Sequence, residues 1–215
     1  SVRRFLAVVA GLAVFGGSLL FAQSTNTSSD NPLAGLKLDD ANSNDPSSNP
    51  NGPSAFLAKF NGHLVVLNDN RLKPADRALL NGVKYVAFYY SASWCSPCRA
   101  FTPELVNFYN SFKKSHPNFE LIFVNDDQDA DDMLAYMVKD QMQWPAVRFD
   151  DIGSDRIHAR QFEGSGIPDL VLVDDTGKVM ADSFVNGRYV GPEQVMDQIQ
   201  KMVPAPQDST ATAGP

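Results

Sequence analysis

The sequence has little cysteine and little histidine. Two cysteines in 215 residues exclude a disulfide scaffold, which needs several bridges closing long loops. His63, His116 and His158 are widely spread and show no ligand spacing, so a four-ligand zinc site is not available. Basic charge is also scarce. There are 18 Lys and Arg against 25 Asp and Glu, a formal net charge of −7. A chain this acidic gains nothing from counterion release, which argues against nucleic acid as a partner. No internal repeat is visible. With no scaffold to hold it, the fold depends on a hydrophobic core, and the two cysteines are free for another task. The apolar fraction of 43% and charged fraction of 20% suit a soluble globular protein, and the length allows one ordinary domain plus tails.

What is present at the two ends differs from what lies between them. Arg3 and Arg4 precede an apolar run from Phe5 to Ala22, and polar Gln23-Ser24-Thr25-Asn26 follows. This is the layout of a secretory signal, although Leu20 is a poor match to the small residue wanted two positions before Ala22. At about 18 residues the run is also just long enough to span a bilayer, so a retained membrane anchor at residues 5–22 stays open. No cysteine follows the run, which excludes a lipid-modified one there. The expected location is therefore exported, periplasmic or extracytoplasmic. Residues 23–53 are rich in Ser, Asn, Asp and Pro and cannot bury enough surface to offset their ordering entropy. They read as a flexible linker, and residues 204–215 as a similar tail. A domain is expected over 54–203.

Within that domain, Asn61-Gly62 between Phe56–Phe60 and His63–Leu67 predicts a hairpin. Pro74–Asn81 reads as a short helix closed by Gly82. Lys84–Tyr90 and Phe119–Val124 are β-rich apolar runs, expected as buried strands. Phe101, Leu105, Phe108, Tyr109 and Phe112 recur at spacings of three and four, a helix that Pro117 stops. Asp129–Gln141 predicts a helix with acids at its start, as the helix dipole favours. Ala146–Phe149 is a short strand, and Leu170–Val173 pairs with Lys178–Ala181 across Asp174-Asp175-Thr176-Gly177. Pro192–Val203 is a final amphipathic helix. The fold class is α/β. Strands alternate with helices first, and a hairpin and a helix come last, giving a central mixed sheet with helices on both faces and an N-terminal β-hairpin extension.

Trp94-Cys95-Ser96-Pro97-Cys98 carries the chemistry. A thiolate is the nucleophile in disulfide exchange. Cys95 follows a predicted strand and opens a helix, so its sulfur meets unpaired backbone N–H groups and the positive end of the helix dipole. Cys98 lies one turn later, within reach of a mixed disulfide at Cys95. Pro97 at the helix start loses no hydrogen bond. Trp94 puts an apolar ring beside the sulfur, and Arg99 adds positive charge. Arg99 also stands where a C-x-x-C-H haem attachment would need His. A structural disulfide closing so small a loop would add little stability.

The segment Ser91 to Leu105, with Trp94-Cys95-Ser96-Pro97-Cys98-Arg99-Ala100-Phe101-Thr102-Pro103, resembles the active-site segment of the tryparedoxin and nucleoredoxin branch of the thioredoxin superfamily. Ser96 departs from the usual Pro at the first intervening position. The resemblance extends through Phe119–Val124 and Gly166–Asp174, covers roughly 55–203, and reaches exported bacterial thiol–disulfide oxidoreductases as well. It implies a thioredoxin-like fold and a cis peptide between Ile167 and Pro168 that shapes the substrate groove. It implies no cofactor. Typical thioredoxins carry a buried Asp six residues before the first cysteine as proton acceptor for the second. Tyr89 stands there, and a neutral phenol is a poor base. Another acid or water is left for that role. Glu104 is nearly two turns beyond Cys98 and reads as a surface residue.

Two other features mislead. Asp127-x-Asp129-x-Asp131 resembles the start of a calcium loop, but Asp132 and Val138 occupy the positions that need Gly and Glu. Trp144 could line a substrate face or sit in the core. The leading functional reading is a thiol–disulfide oxidoreductase of protein disulfides, with a membrane or soluble electron donor or acceptor. The alternative is a tethered thioredoxin-fold binding module with little redox activity. Peroxide reduction ranks below both, because it needs an isolated cysteine with Thr and Arg beside it.

Overall fold

A computed structural model of the chain describes residues 52–206. The expected leader and most of the expected linker and tail lie outside these residues. Among the described residues, no helix is long and apolar enough to cross a membrane.

Among the described residues there are four α-helices: α1 (Ala55–Ala58), α2 (Ser96–Phe112), α3 (Ala130–Lys139) and α4 (Pro192–Met202). The strands are β1 (Leu64–Asn68), β2 (Arg71–Pro74), β3 (Tyr85–Ser91), β4 (Phe119–Asn125), β5 (Ala146–Val147), β6 (Asp169–Asp174), β7 (Val179–Asp182), β8 (Phe184–Val185) and β9 (Arg188–Tyr189). Seven of them make one sheet in the order β2-β1-β5-β4-β3-β6-β7, and β8 and β9 make a separate hairpin. β3, β4 and β5 are parallel. Antiparallel strands flank this centre on both sides, not on one side as the simple reading of the sequence expects.

β3 and β4 are central because both of their faces are apolar. Val86, Phe88 and Tyr90 point into one core with Leu57, Phe60, Leu80 and Ile157. Ala87 and Tyr89 point into the other with residues of α2, α3 and α4. Chain progression β3 to β4 to β5 runs one way along the sheet, so right-handed crossovers put α2 and α3 on the same face. The three long helices share that face. The opposite face is covered by α1, a 3-10 turn at Phe149–Asp151 and connecting loops.

Two local expectations are corrected. The N-terminal hairpin exists, but it turns at Asp69 and Asn70, both left-handed at φ 52° and 55°, and not at Asn61-Gly62. That conformation suits the right-handed twist of the flanking strands. Phe56–Phe60 is not a strand because Ser54 caps a helix there, its Oγ accepting the Leu57 N–H. Pro74–Asn81 is not a helix. Ala75 still donates to Leu64 on the neighbouring strand, and Asp76 Oδ1 takes the Ala78 N–H in an Asx turn.

Candidate active site

β3 ends at Ser91, and four residues later Cys95 is the N-cap of α2. Its backbone is extended, and its Sγ accepts the Cys98 N–H at 3.2 Å. One of the orphan donors at the helix start is thereby aimed at the sulfur, which favours negative charge there when the bond is open. Cys95 and Cys98 are joined as a disulfide, with Cα atoms 5.2 Å apart. Their access differs. Cys95 is 5% exposed and Cys98 is 0% exposed. An incoming group can therefore meet Cys95 first.

The surrounding motif residues divide into wall and anchor. Trp94 is 60% exposed, and its indole N–H donates to the Asp126 carbonyl at 3.1 Å. Ser96 and Pro97 are exposed on the helix start. Arg99, expected to add positive charge near the sulfur, is engaged by the backbone of the preceding loop. Its guanidinium donates to the Ser93 carbonyl at 2.6 Å and so ties down the loop before Cys95. Asp127 holds the same loop from the other side, its Oδ1 accepting both the N–H and the hydroxyl of Ser93 at 2.8 Å. Burial pushes the Asp127 carboxyl up, and the two Ser93 hydrogen bonds oppose that. The aspartates considered as a calcium loop are accounted for by this contact and by Asp129, which caps α3. Among the described residues no group of three or more His, Cys, Asp or Glu is placed to hold a metal.

The Ile167–Pro168 peptide is cis, as the resemblance implies. The Ile167 carbonyl lies 3.7 Å from Cys95 Sγ. Between this loop and the disulfide opens a cleft of about 560 Å³, lined by Trp94, Cys95, Pro97, Asp126, Glu163 and the run 164–167. Arg160 joins two of these lining acids, pairing with Asp126 at 2.9 Å and Glu163 at 2.7 Å. The β8–β9 hairpin supports the loop from behind. Tyr189 donates to the Pro168 carbonyl at 2.9 Å, and the Phe184 ring packs on Gly164. Asp169, directly after Pro168, is buried, and its Oδ2 accepts the Gly164 N–H at 2.7 Å.

Behind Cys98 lies a buried hydroxyl network. Thr102 donates to the Cys98 carbonyl at 2.8 Å, and its Oγ1 is 2.8 Å from the Tyr89 hydroxyl and 2.5 Å from that of Tyr136. Ser91 Oγ reaches Tyr136 at 3.0 Å. Burial holds the Tyr89 phenol well above its ordinary value, so it stays neutral and is no base. Glu104 is exposed on α2, as its spacing from Cys98 suggested. Trp144 is fully buried in the core and lines no cleft.

The structure places Trp94, Cys95, Ser96, Pro97 and Ile167 around one cleft, with Pro168 next to Pro97 on a neighbouring one. Sequence reasoning missed Asp127, Thr102, Tyr136, Asp169 and Tyr189 as supports. Asn186-Gly187 between Phe184-Val185 and Arg188-Tyr189 is a two-residue hairpin signal that could have found Tyr189.

Comparison with known proteins agrees with this geometry. Residues 82–179 match the family described as Thioredoxin-like. Probable nucleoredoxin 1 of Arabidopsis thaliana is 40% identical over 122 residues, 56% of this chain and 20% of that protein. Nucleoredoxin of Danio rerio is 35% identical over 131 residues, 61% of this chain and 30% of that protein. The chain thus spans less than a third of the length of these curated relatives. Among solved structures, tryparedoxin II from C. fasciculata is 30% identical with a TM-score of 0.52, covering 68% of this chain and 94% of that one. The fold is thioredoxin-like.

The relatives correct the expected location. A basic start and an apolar run suggested an exported or periplasmic protein, with residues 5–22 as signal or anchor. Curated relatives that the chain matches include nucleoredoxins of Arabidopsis thaliana, Danio rerio and Homo sapiens, which do not support that location. The pattern at residues 5–22 was compositional only, and those residues lie outside the described ones.

Proposed function

Because the chain belongs to the thioredoxin superfamily, on its tryparedoxin and nucleoredoxin side, we propose that Cys95 and Cys98 exchange electrons with the disulfides of protein substrates. The observation that carries this reading is the unequal access of two bonded cysteines at a helix N-terminus. Residues 54–203 are the domain that performs it. In the reduced pair the Cys95 thiolate attacks a substrate disulfide, forming a mixed disulfide and releasing one substrate thiolate. Cys98 then loses its proton and attacks Cys95 Sγ. The second substrate thiol leaves, and two electrons have passed to the substrate. A separate dithiol donor, soluble or membrane-held, restores the pair, and the reverse sequence oxidises a substrate dithiol. Trp94, Ser96, Pro97, Arg99, Ile167 and Pro168 form or support the substrate groove. Whether the natural direction is reduction or oxidation follows from the pair's potential, near −120 mV for an oxidant and near −270 mV for a reductase, as rough benchmarks.

Insulin reduction with dithiothreitol as donor tests the reading. Cys95→Ser is expected to abolish catalysis. Cys98→Ser is expected to accumulate a mixed disulfide with substrate, visible by mass. Equal rates in wild type and both variants would show a binding module instead.

A further inference from the structure

Asp169 is a buried carboxylate that the exchange steps do not use. It opens β6 immediately after Pro168. Oδ2 accepts the Gly164 N–H, and Oδ1 is buried with no hydrogen-bond partner among the described residues. Gly164 begins Gly164-Ser165-Gly166-Ile167, which forms one wall of the cleft and ends in the carbonyl next to Cys95 Sγ. Two of these four residues are glycines and Ser165 is exposed, so few side chains hold the run: the Phe184 ring against Gly164, and half-buried Ile167 against the cysteines. A charge is buried at a cost unless it is well paired. Here the hydrogen bond to the Gly164 N–H joins that carboxylate to the wall of the groove.

We infer that Asp169 is a positioning residue for disulfide substrates: through the Gly164 N–H, its carboxylate holds residues 164–167 in place before the Cys95–Cys98 pair. The inference rests on the reading of that pair as redox active. The charged and titratable groups around Asp169 come from several elements. Tyr90 faces it from β3, Asp182 from β7 and Tyr189 from β9, and Glu163, paired with Arg160, stands in the preceding loop. Arg160 is already engaged by Glu163 and Asp126, and no cation is hydrogen-bonded to Asp169 among the described residues. Burial pushes the Asp169 carboxyl up to about 6, and the Gly164 hydrogen bond opposes this, while Asp182 and Glu163 add to it. Above that pH the bond to Gly164 is charge-assisted. Below it, a neutral carboxyl holds the loop more weakly.

The test uses the full chain as wild type, Asp169→Asn and Asp169→Ala. The Gly164 amide resonance of the oxidised protein is followed by NMR between about pH 5 and pH 8. Wild type is expected to show an inflection near the pH at which Asp169 titrates. Asp169→Asn keeps an acceptor oxygen but cannot titrate, so it is expected to show none. A flat wild-type profile, or the same inflection in Asp169→Asn, overturns the inference. In insulin reduction, Asp169→Ala is expected to raise KM roughly fivefold near neutral pH with kcat within about twofold, and Asp169→Asn, a neutral acceptor, to recover only part of that loss and by the same amount at every pH. The KM ratio of Asp169→Ala to wild type is expected to shrink below about pH 6, where the wild-type carboxyl is itself neutral. Parallel losses in kcat and KM that ignore pH would mean a merely structural role and overturn it too. A wild type unable to reduce insulin would refute the redox reading, while the Gly164 titration would still decide whether Asp169 holds the loop.

Discussion

Thr102 is the residue on which the inner side of the site converges. Its hydroxyl donates to the Cys98 carbonyl and can accept from both Tyr89 and Tyr136, which leaves Tyr136 free to accept from Ser91. Every member of this dry network then has a partner. Thr102→Val keeps the shape and removes the shared atom, stranding the buried Tyr89 phenol and the Cys98 carbonyl and leaving Tyr136 with Ser91 alone. It is expected to destabilise the fold by about 2 kcal/mol, whereas Tyr89→Phe, which strands nothing, is expected to cost about 1 kcal/mol or less. Urea denaturation of both variants measures the difference, and equal losses would contradict the network. The cysteine pair and its flanking residues were legible in the sequence because their chemistry is local: a turn, a helix start and one helical turn of spacing. Thr102 with Tyr136, Asp127 with Ser93 and Asp169 with Gly164 were not legible as pairs. The first two pairs meet only once β3 and β4 lie side by side and α2 and α3 pack on one face, the third is made by the turn of the chain around Pro168, and nothing in the local pattern marks a polar residue as a support.

At the scale of elements, the buried strands and long helices follow their patterns closely. β3, β4 and α2 to α4 differ from expectation by a few residues at their ends. The errors fall where two turn signals compete. Asn61-Gly62 and Asp69-Asn70 both suit a hairpin, and the cap at Ser54 decides in favour of the second by making the first segment helical. The β8–β9 hairpin is too short to announce itself by alternation, yet it holds the cis-proline loop from behind. Its fit is tight at Gly164, where a Cβ would run into the Phe184 ring. Gly164→Ala is therefore expected to push the hairpin off the loop and lower stability by about 1 to 3 kcal/mol. Thermal unfolding checks this. Adding Phe184→Ala to make room should return part of the loss, and no rescue would show that the clash lies elsewhere.

The whole molecule carries its acid burden partly in the interior. Among the described residues, burial raises the carboxyls of Asp127, Asp140, Asp169 and Asp182 above their ordinary range, and that of Asp174 is lowered, by its hydrogen bonds with Thr176 foremost. A raised folded-state value means that the native protein binds more protons than the unfolded chain between roughly pH 4 and 6, so stability is lost as pH rises through that window. The formal charge of −7 acts in the same sense. The protein is expected to be more stable at about pH 5 than at pH 7.5, by roughly 1 to 2 kcal/mol, in chemical denaturation at fixed ionic strength. A stability maximum above neutrality would contradict the buried-acid account. The two cores differ in one further respect. Trp144 is sealed in one of them, away from solvent, while Trp94 stands in the open beside the disulfide, tethered by its indole N–H to Asp126. The chain thus carries its own optical gauge: of its two indoles, one is a fixed reference and the other changes its emission as the neighbouring sulfurs bond or part.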